Sequence, residues 1–156
     1  MKKLCQLFTI CLICAFSCDR SYTTDVYINN MSSYSVTVSN YSFDGVVSES
    51  ILDSIVIPPG EIKLVGTHNG LGKPREIDGV AYITWYLCPD GSEILFEDGL
   101  ALRFDPDNVK VGKHSIYSVL SYEFEIESPG ISSYAKCTYV ITDDDHDIIT
   151  DQEIEK

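Results

Sequence analysis

Tyr122-Glu123-Phe124-Glu125-Ile126-Glu127 alternates an apolar or aromatic side chain with a glutamate at every step. Successive side chains of an extended strand point to opposite faces. Tyr122, Phe124 and Ile126 therefore share a face that needs cover, and three carboxylates share a face that needs water. This is the pattern of an antiparallel strand packed on one side and wet on the other. The same period recurs on both sides of it. Tyr34, Val36 and Val38 alternate with Ser35, Thr37 and Ser39, Lys63 sits between Ile62 and Leu64, and Arg103 between Leu102 and Phe104. Residues 26–29, 54–57, 81–87, 93–97 and 134–141 are rich in Val, Ile, Tyr, Phe and Thr, which suit a pleated surface.

Turn residues separate these runs. Asp44-Gly45, Asp90-Gly91 and Asp98-Gly99 place a glycine where tight turns need positive φ. Pro58-Pro59-Gly60 and Pro129-Gly130 mark further reversals, and Pro89-Asp90-Gly91 reads as a hairpin. Strands starting about every ten residues favour an all-β fold, an antiparallel β-sandwich of immunoglobulin-like type with about seven to nine strands; a small antiparallel β-barrel is the alternative. Residues 67–77 are irregular and read as a long loop. Thr142-Asp143-Asp144-Asp145 reads as a helix start, with Thr142 as cap and acids at the positive end of the helix dipole. The acidic segment 143–156 is then a short helix or a tail.

The N-terminus belongs to another class of sequence. Met1-Lys2-Lys3 is cationic, Leu4 to Phe16 is mostly apolar, and polarity returns at Asp19-Arg20. The run is shorter than the about 20 residues that span a bilayer, and it reads as a secretory signal. Ala15-Phe16-Ser17-Cys18 resembles the lipobox of bacterial lipoproteins: Ser17 supplies the small residue before the cysteine, and Ala15 stands where leucine is usual. That resemblance implies removal of residues 1–17, acylation of Cys18 and a membrane hold through N-terminal acyl chains. Residues 18–24 read as the lipidated cysteine and a short linker, and residues 25–142 as the β domain.

The body carries a second likeness. Asn29-Asn30, Tyr34-Ser35-Val36-Thr37-Val38, Asp53 to Gly60 and Thr138 to Asp145 together resemble small lipoproteins of Bacteroides and its relatives. The resemblance implies an exported, lipid-anchored, β-rich domain of the cell envelope, on either face of the outer membrane, and carries over no catalytic residues. Asp53-Ser54-Ile55 likewise resembles the acceptor for O-linked glycosylation in that group, which makes Ser54 a candidate.

Charge narrows the partners. Without Lys2 and Lys3, 24 acidic side chains face the rest of the eleven basic ones, a net of −15. Such a chain repels nucleic acid, and by net charge it repels anionic lipid too. Cys88 and Cys137 are the cysteines of the mature body and candidates for a disulfide. The acid run 143–147 lacks the spacing of a calcium loop. His68, His114 and His146 lack the spacing of a helical zinc site, and there is no Gly-x-Ser-x-Gly elbow. No cofactor, metal or catalytic set is expected. Trp85 reads as core, with Ile83 and Leu87, and Tyr82 and Tyr86 on the opposite strand face read as an aromatic contact surface. The function expected is non-enzymatic binding of a partner protein or glycan. A subunit of a pilus-like or uptake assembly is the alternative, and a small hydrolase a more distant one.

Overall fold

The alternating segments form strands. The computed structural model describes residues 20–40, 54–108, 114–127 and 132–154. Cys18 and the signal segment, Asp44-Gly45, Asp53 and Pro129-Gly130 lie outside the described residues. The described strands are β1 (Ser21–Asn30), β2 (Val36–Asn40), β3 (Ile55–Ile57), β4 (Ile62–Leu71), β5 (Ser92–Phe96), β6 (Ala101–Phe104), β7 (Tyr122–Glu127) and β8 (Ser132–Ile141). They make two four-stranded sheets, ordered β4-β1-β8-β7 and β3-β2-β5-β6, and the sheets are not joined into a barrel. Val26 and Ile28 of β1 and Tyr139 and Ile141 of β8 meet Val36, Val38, Ile57, Ile94, Phe96 and Phe104 in one buried cluster. Each such side chain contributes about 1.5–3 kcal/mol on burial. Tyr122, Phe124 and Ile126 pair with the buried Tyr139, Cys137 and Ala135 of β8; Tyr122 and Phe124 are half-buried, whereas Ile126 is exposed, so the cover that the alternation predicts fades toward the end of β7.

Four expectations are corrected. The first sheet is mixed, because β1 and β8 run parallel from Ser21 beside Ser132 to Asn30 beside Ile141. Alternation looks the same in either direction, so it carries no sign of a distant neighbour's polarity. Residues 21–24 belong to β1 rather than to a linker, with Tyr22 and Thr24 buried in step with Val26 and Ile28. Residues 67–71 extend β4 instead of looping. Its Gly66 lies under the Tyr82 ring and its Gly70 under the Tyr22 ring, so neighbouring tyrosines supply the cover those glycines lack.

The fourth correction concerns residues 81–87. The segment is helical: α1 (Ile77–Tyr82) continues directly as a π-helix over Ile83–Leu87. Gly79, Ile83 and Leu87, four residues apart, form its buried stripe. Gly79 allows close approach, since a Cβ there would lie 2.8 Å from Cys137 Cβ on β8. The second helix, α2 (Asp143–Ile154), follows β8 as the Thr142 cap predicted.

Buried Asn30 closes the end of β1. Its amide nitrogen donates to the carbonyls of Tyr34 and Ile57, 2.8 Å each. Its Oδ1 accepts from Ser32 N at 3.1 Å and Ser32 Oγ at 2.7 Å. One side chain thus ties the first sheet, the turn after it and β3 of the second sheet.

Candidate functional site

The helical turn moves Trp85 out of the core. On a strand Ile83 and Trp85 share a face; in a helical turn two steps put them on roughly opposite sides. Ile83 is buried and Trp85 is 65 % exposed, which corrects its reading as core. Tyr82 and Tyr86 still share a side, because a spacing of four does so in either geometry. Their ring centroids are 5.4 Å apart at 32°. Tyr82 is the rooted member: it covers Gly66, and its hydroxyl donates to the Val65 carbonyl at 3.3 Å. Tyr86 is 43 % exposed. Trp85 and Tyr86 are thus consecutive exposed aromatics at a helix end, and Tyr86 lies beside Tyr82, which is bonded to edge strand β4. A π-helical turn is a common device for aiming side chains at functional surfaces.

A second cluster sits where α2 begins. Asp145 Oδ2 accepts from Thr142 N at 2.9 Å, the reciprocal half of a capping box. Asp143 Oδ1 accepts from Ser33 N at 2.7 Å and Ser33 Oγ at 2.9 Å, and these bonds lower its pKa. His114 donates from Nδ1 to buried Asp145 at 2.6 Å and stacks on Tyr139 with centroids 4.7 Å apart. His146 donates from Nε2 to Asp98 at 2.7 Å, stacks on Tyr34 at 4.2 Å and meets Phe96 edge-on at 5.2 Å. The bond to Asp98 raises the His146 pKa, and the same bond lowers that of Asp98. Both pairs join segments far apart in sequence and fasten α2 to the sheets.

The outward face of the first sheet has a polar centre. Asp25 accepts from Thr67 Oγ1 and Tyr134 OH, each at 2.7 Å, and from Tyr27 OH at 3.5 Å. Those donors come from β4, β8 and β1, and the bond to Asp25 is the main cause of the raised Tyr134 pKa. Sequence reasoning missed this group, because its members meet only through strand register.

The candidate disulfide is corrected too. Cys88 and Cys137 are buried free thiols. Cys88 Sγ lies 3.6 Å from the Ser39 carbonyl and Cys137 Sγ 3.9 Å from the Glu76 carbonyl, so the two point to different partners. Burial pushes the Cys88 thiol up to about 12 and Cys137 to about 11. Ser54 is exposed at the start of edge strand β3. Among the described residues no group of three or more His, Cys, Asp or Glu is placed to hold a metal ion. No helix among them is long and apolar enough to cross a membrane. No protein-family model matches the chain, and no curated protein matches it.

Proposed function

We propose that the protein is a lipid-anchored domain of the cell envelope, held at the outer membrane through Cys18, that binds a partner protein or glycan without catalysing a reaction. The observation that carries the binding half is the Trp85–Tyr86 pair. Two large aromatic side chains, consecutive in sequence, are exposed on a helix whose Ile83 and Leu87 already fill the core. Tryptophan and tyrosine dominate the energetics of contact surfaces, and their flat faces also stack on sugars. The anchor half is supported by the signal segment and its lipobox-like cysteine.

Two features weigh against the other readings. The histidine–carboxylate pairs that a hydrolase would need fasten α2 in place. An assembly subunit would add strands at open edges; of the edge strands β4, β7, β3 and β6, β4 is blunted by a bulge between Gly66 and Leu64 and by a Val65 carbonyl that already accepts from Tyr82. The test is capture of bound material from intact envelopes by the native protein and by Trp85→Ala/Tyr86→Ala. Each truncation is expected to weaken capture by about 2 kcal/mol or more. Unchanged capture by the double variant, with its fold intact by circular dichroism, would rule the pair out.

A further inference from the structure

We propose that the end of the domain where β1 begins is a basic foot that takes the anionic headgroups of the bilayer; the idea deepens the anchored reading above and rests on it. Arg20 is exposed immediately before β1. The Gly72 amide donates to the Arg20 carbonyl at 2.6 Å, which sets the turn after β4 beside it. Leu71, paired with Ser21, is 72 % exposed at that turn, and Lys73 and Arg75 follow it, both exposed. The loop is fixed in place. Pro74 is buried between the two cations, and buried Asp78 accepts from Arg75 N at 2.7 Å. Asp78 also lies 3.7 Å from Arg75 Nε, yet the Arg75 side chain stays 71 % exposed. Glu76 is the acid exposed in this loop.

The charge is distributed by position. The described residues contain six Lys and Arg: Arg20, Lys63, Lys73, Arg75, Arg103 and Lys136. Arg103 pairs with Glu93 and Lys136 with Glu127, while three of the six gather at the foot. Acid gathers at the far pole. β8 lies parallel to β1 and leads at its end into Asp143, Asp144, Asp145 and Asp147 of α2. A ten-residue strand separates the poles by about 30 Å. Net charge repels anionic lipid, but repulsion from the far pole is screened within about 8 Å at physiological salt.

The anchor brings the near pole within range. One residue, Asp19, separates Arg20 from Cys18. Two extended steps cover about 7 Å, so an acylated Cys18 holds Arg20 at headgroup depth. The occupant that fits is anionic lipid: exposed cations around an exposed leucine, at the point where the chain meets its acyl chains. Each cation at such a surface strengthens attachment about fivefold.

The experiment uses the mature protein purified from its envelope. It is mixed with vesicles of phosphatidylcholine alone and of phosphatidylcholine with phosphatidylglycerol. Flotation is followed by labelling with a membrane-impermeant amine reagent, reading Lys73 against Lys63 at the other end of β4. We expect flotation with both vesicles. Lys73 labelling should be about fivefold or more slower on the anionic ones, a slowing that high salt abolishes and Arg20→Glu lessens, with Lys63 labelling unchanged. Equal Lys73 labelling on the two vesicles overturns the foot and leaves the anchor standing. Salt-sensitive flotation with anionic vesicles alone supports the foot and overturns the anchor. Flotation with neither overturns both.

Discussion

Asn30 joins more of the molecule than any apolar residue around it. Replacing it with alanine takes the Asn30 donor from the Ile57 carbonyl and the Oδ1 acceptor from the Ser32 amide, and leaves the Tyr34 carbonyl with Ser32 Oγ at 3.1 Å, in a place closed to water. Stranded buried polar groups are costly, so Asn30→Ala should lower unfolding free energy by about 3 kcal/mol in urea titration. A loss near zero would show that water reaches the site. The two thiols give a second residue-scale outcome. The thiolate is the reactive form, and burial holds both groups well above neutral pH. Neither should react with a chromogenic disulfide near pH 8 in the folded protein, and both should on unfolding; rapid native labelling would contradict their burial. Little of this was legible in the sequence. Asn30 reads as a turn residue by type, and its worth lies in partners up to 27 residues away. The free thiols illustrate the same limit, since compartment suggests a bridge while only geometry decides it.

Legibility at the scale of elements followed the strength of local pattern. β7 has the strict alternation of Tyr122 to Glu127, and Thr142 with the acids after it marks the start of α2, so the strand and that helix start could be read from sequence, whereas helix and tail stayed open for the rest of 143–156. The helical segment could not, because Ile83, Trp85 and Leu87 fit a strand face as well as Ile83 and Leu87 fit a helix stripe. Packing decided for the helix, with Gly79 against Cys137 and Tyr82 over Gly66. Tyr82 and Tyr86 therefore share a side in both geometries, and Trp85 was misplaced for a reason that holds in one. The fastening of α2 should depend on pH. The lowered Asp98 pKa adds stability that is present above its ordinary 3.8 and is lost as pH falls through the lowered value. The raised His146 pKa adds stability that is complete below 6.5 and is lost as pH rises through the raised value. The pair, with Asp147 3.7 Å from His146 Nδ1, supports α2 best between those limits. The difference in melting temperature between the native protein and Asp98→Asn should be largest inside that window and shrink well above it. A difference that does not vary with pH would remove the pair from this role.

Across the whole molecule, the strands set a direction. The parallel pairing of β1 and β8 puts the chain's entry and its acidic helix at opposite ends of one sheet. Net charge, the one electrostatic quantity that composition supplies, hides that separation. With the β4 edge blunted, a single species of monomer mass is expected in detergent, and a ladder of larger species would favour an assembly subunit. An anchored domain is defined by how its entry end is held. The direct measurement is the intact mass of the mature protein extracted from membranes in detergent. The expected result is a chain that begins at Cys18 and carries the added mass of acyl chains. A chain that begins at Cys18 without that mass, or begins elsewhere, would contradict it.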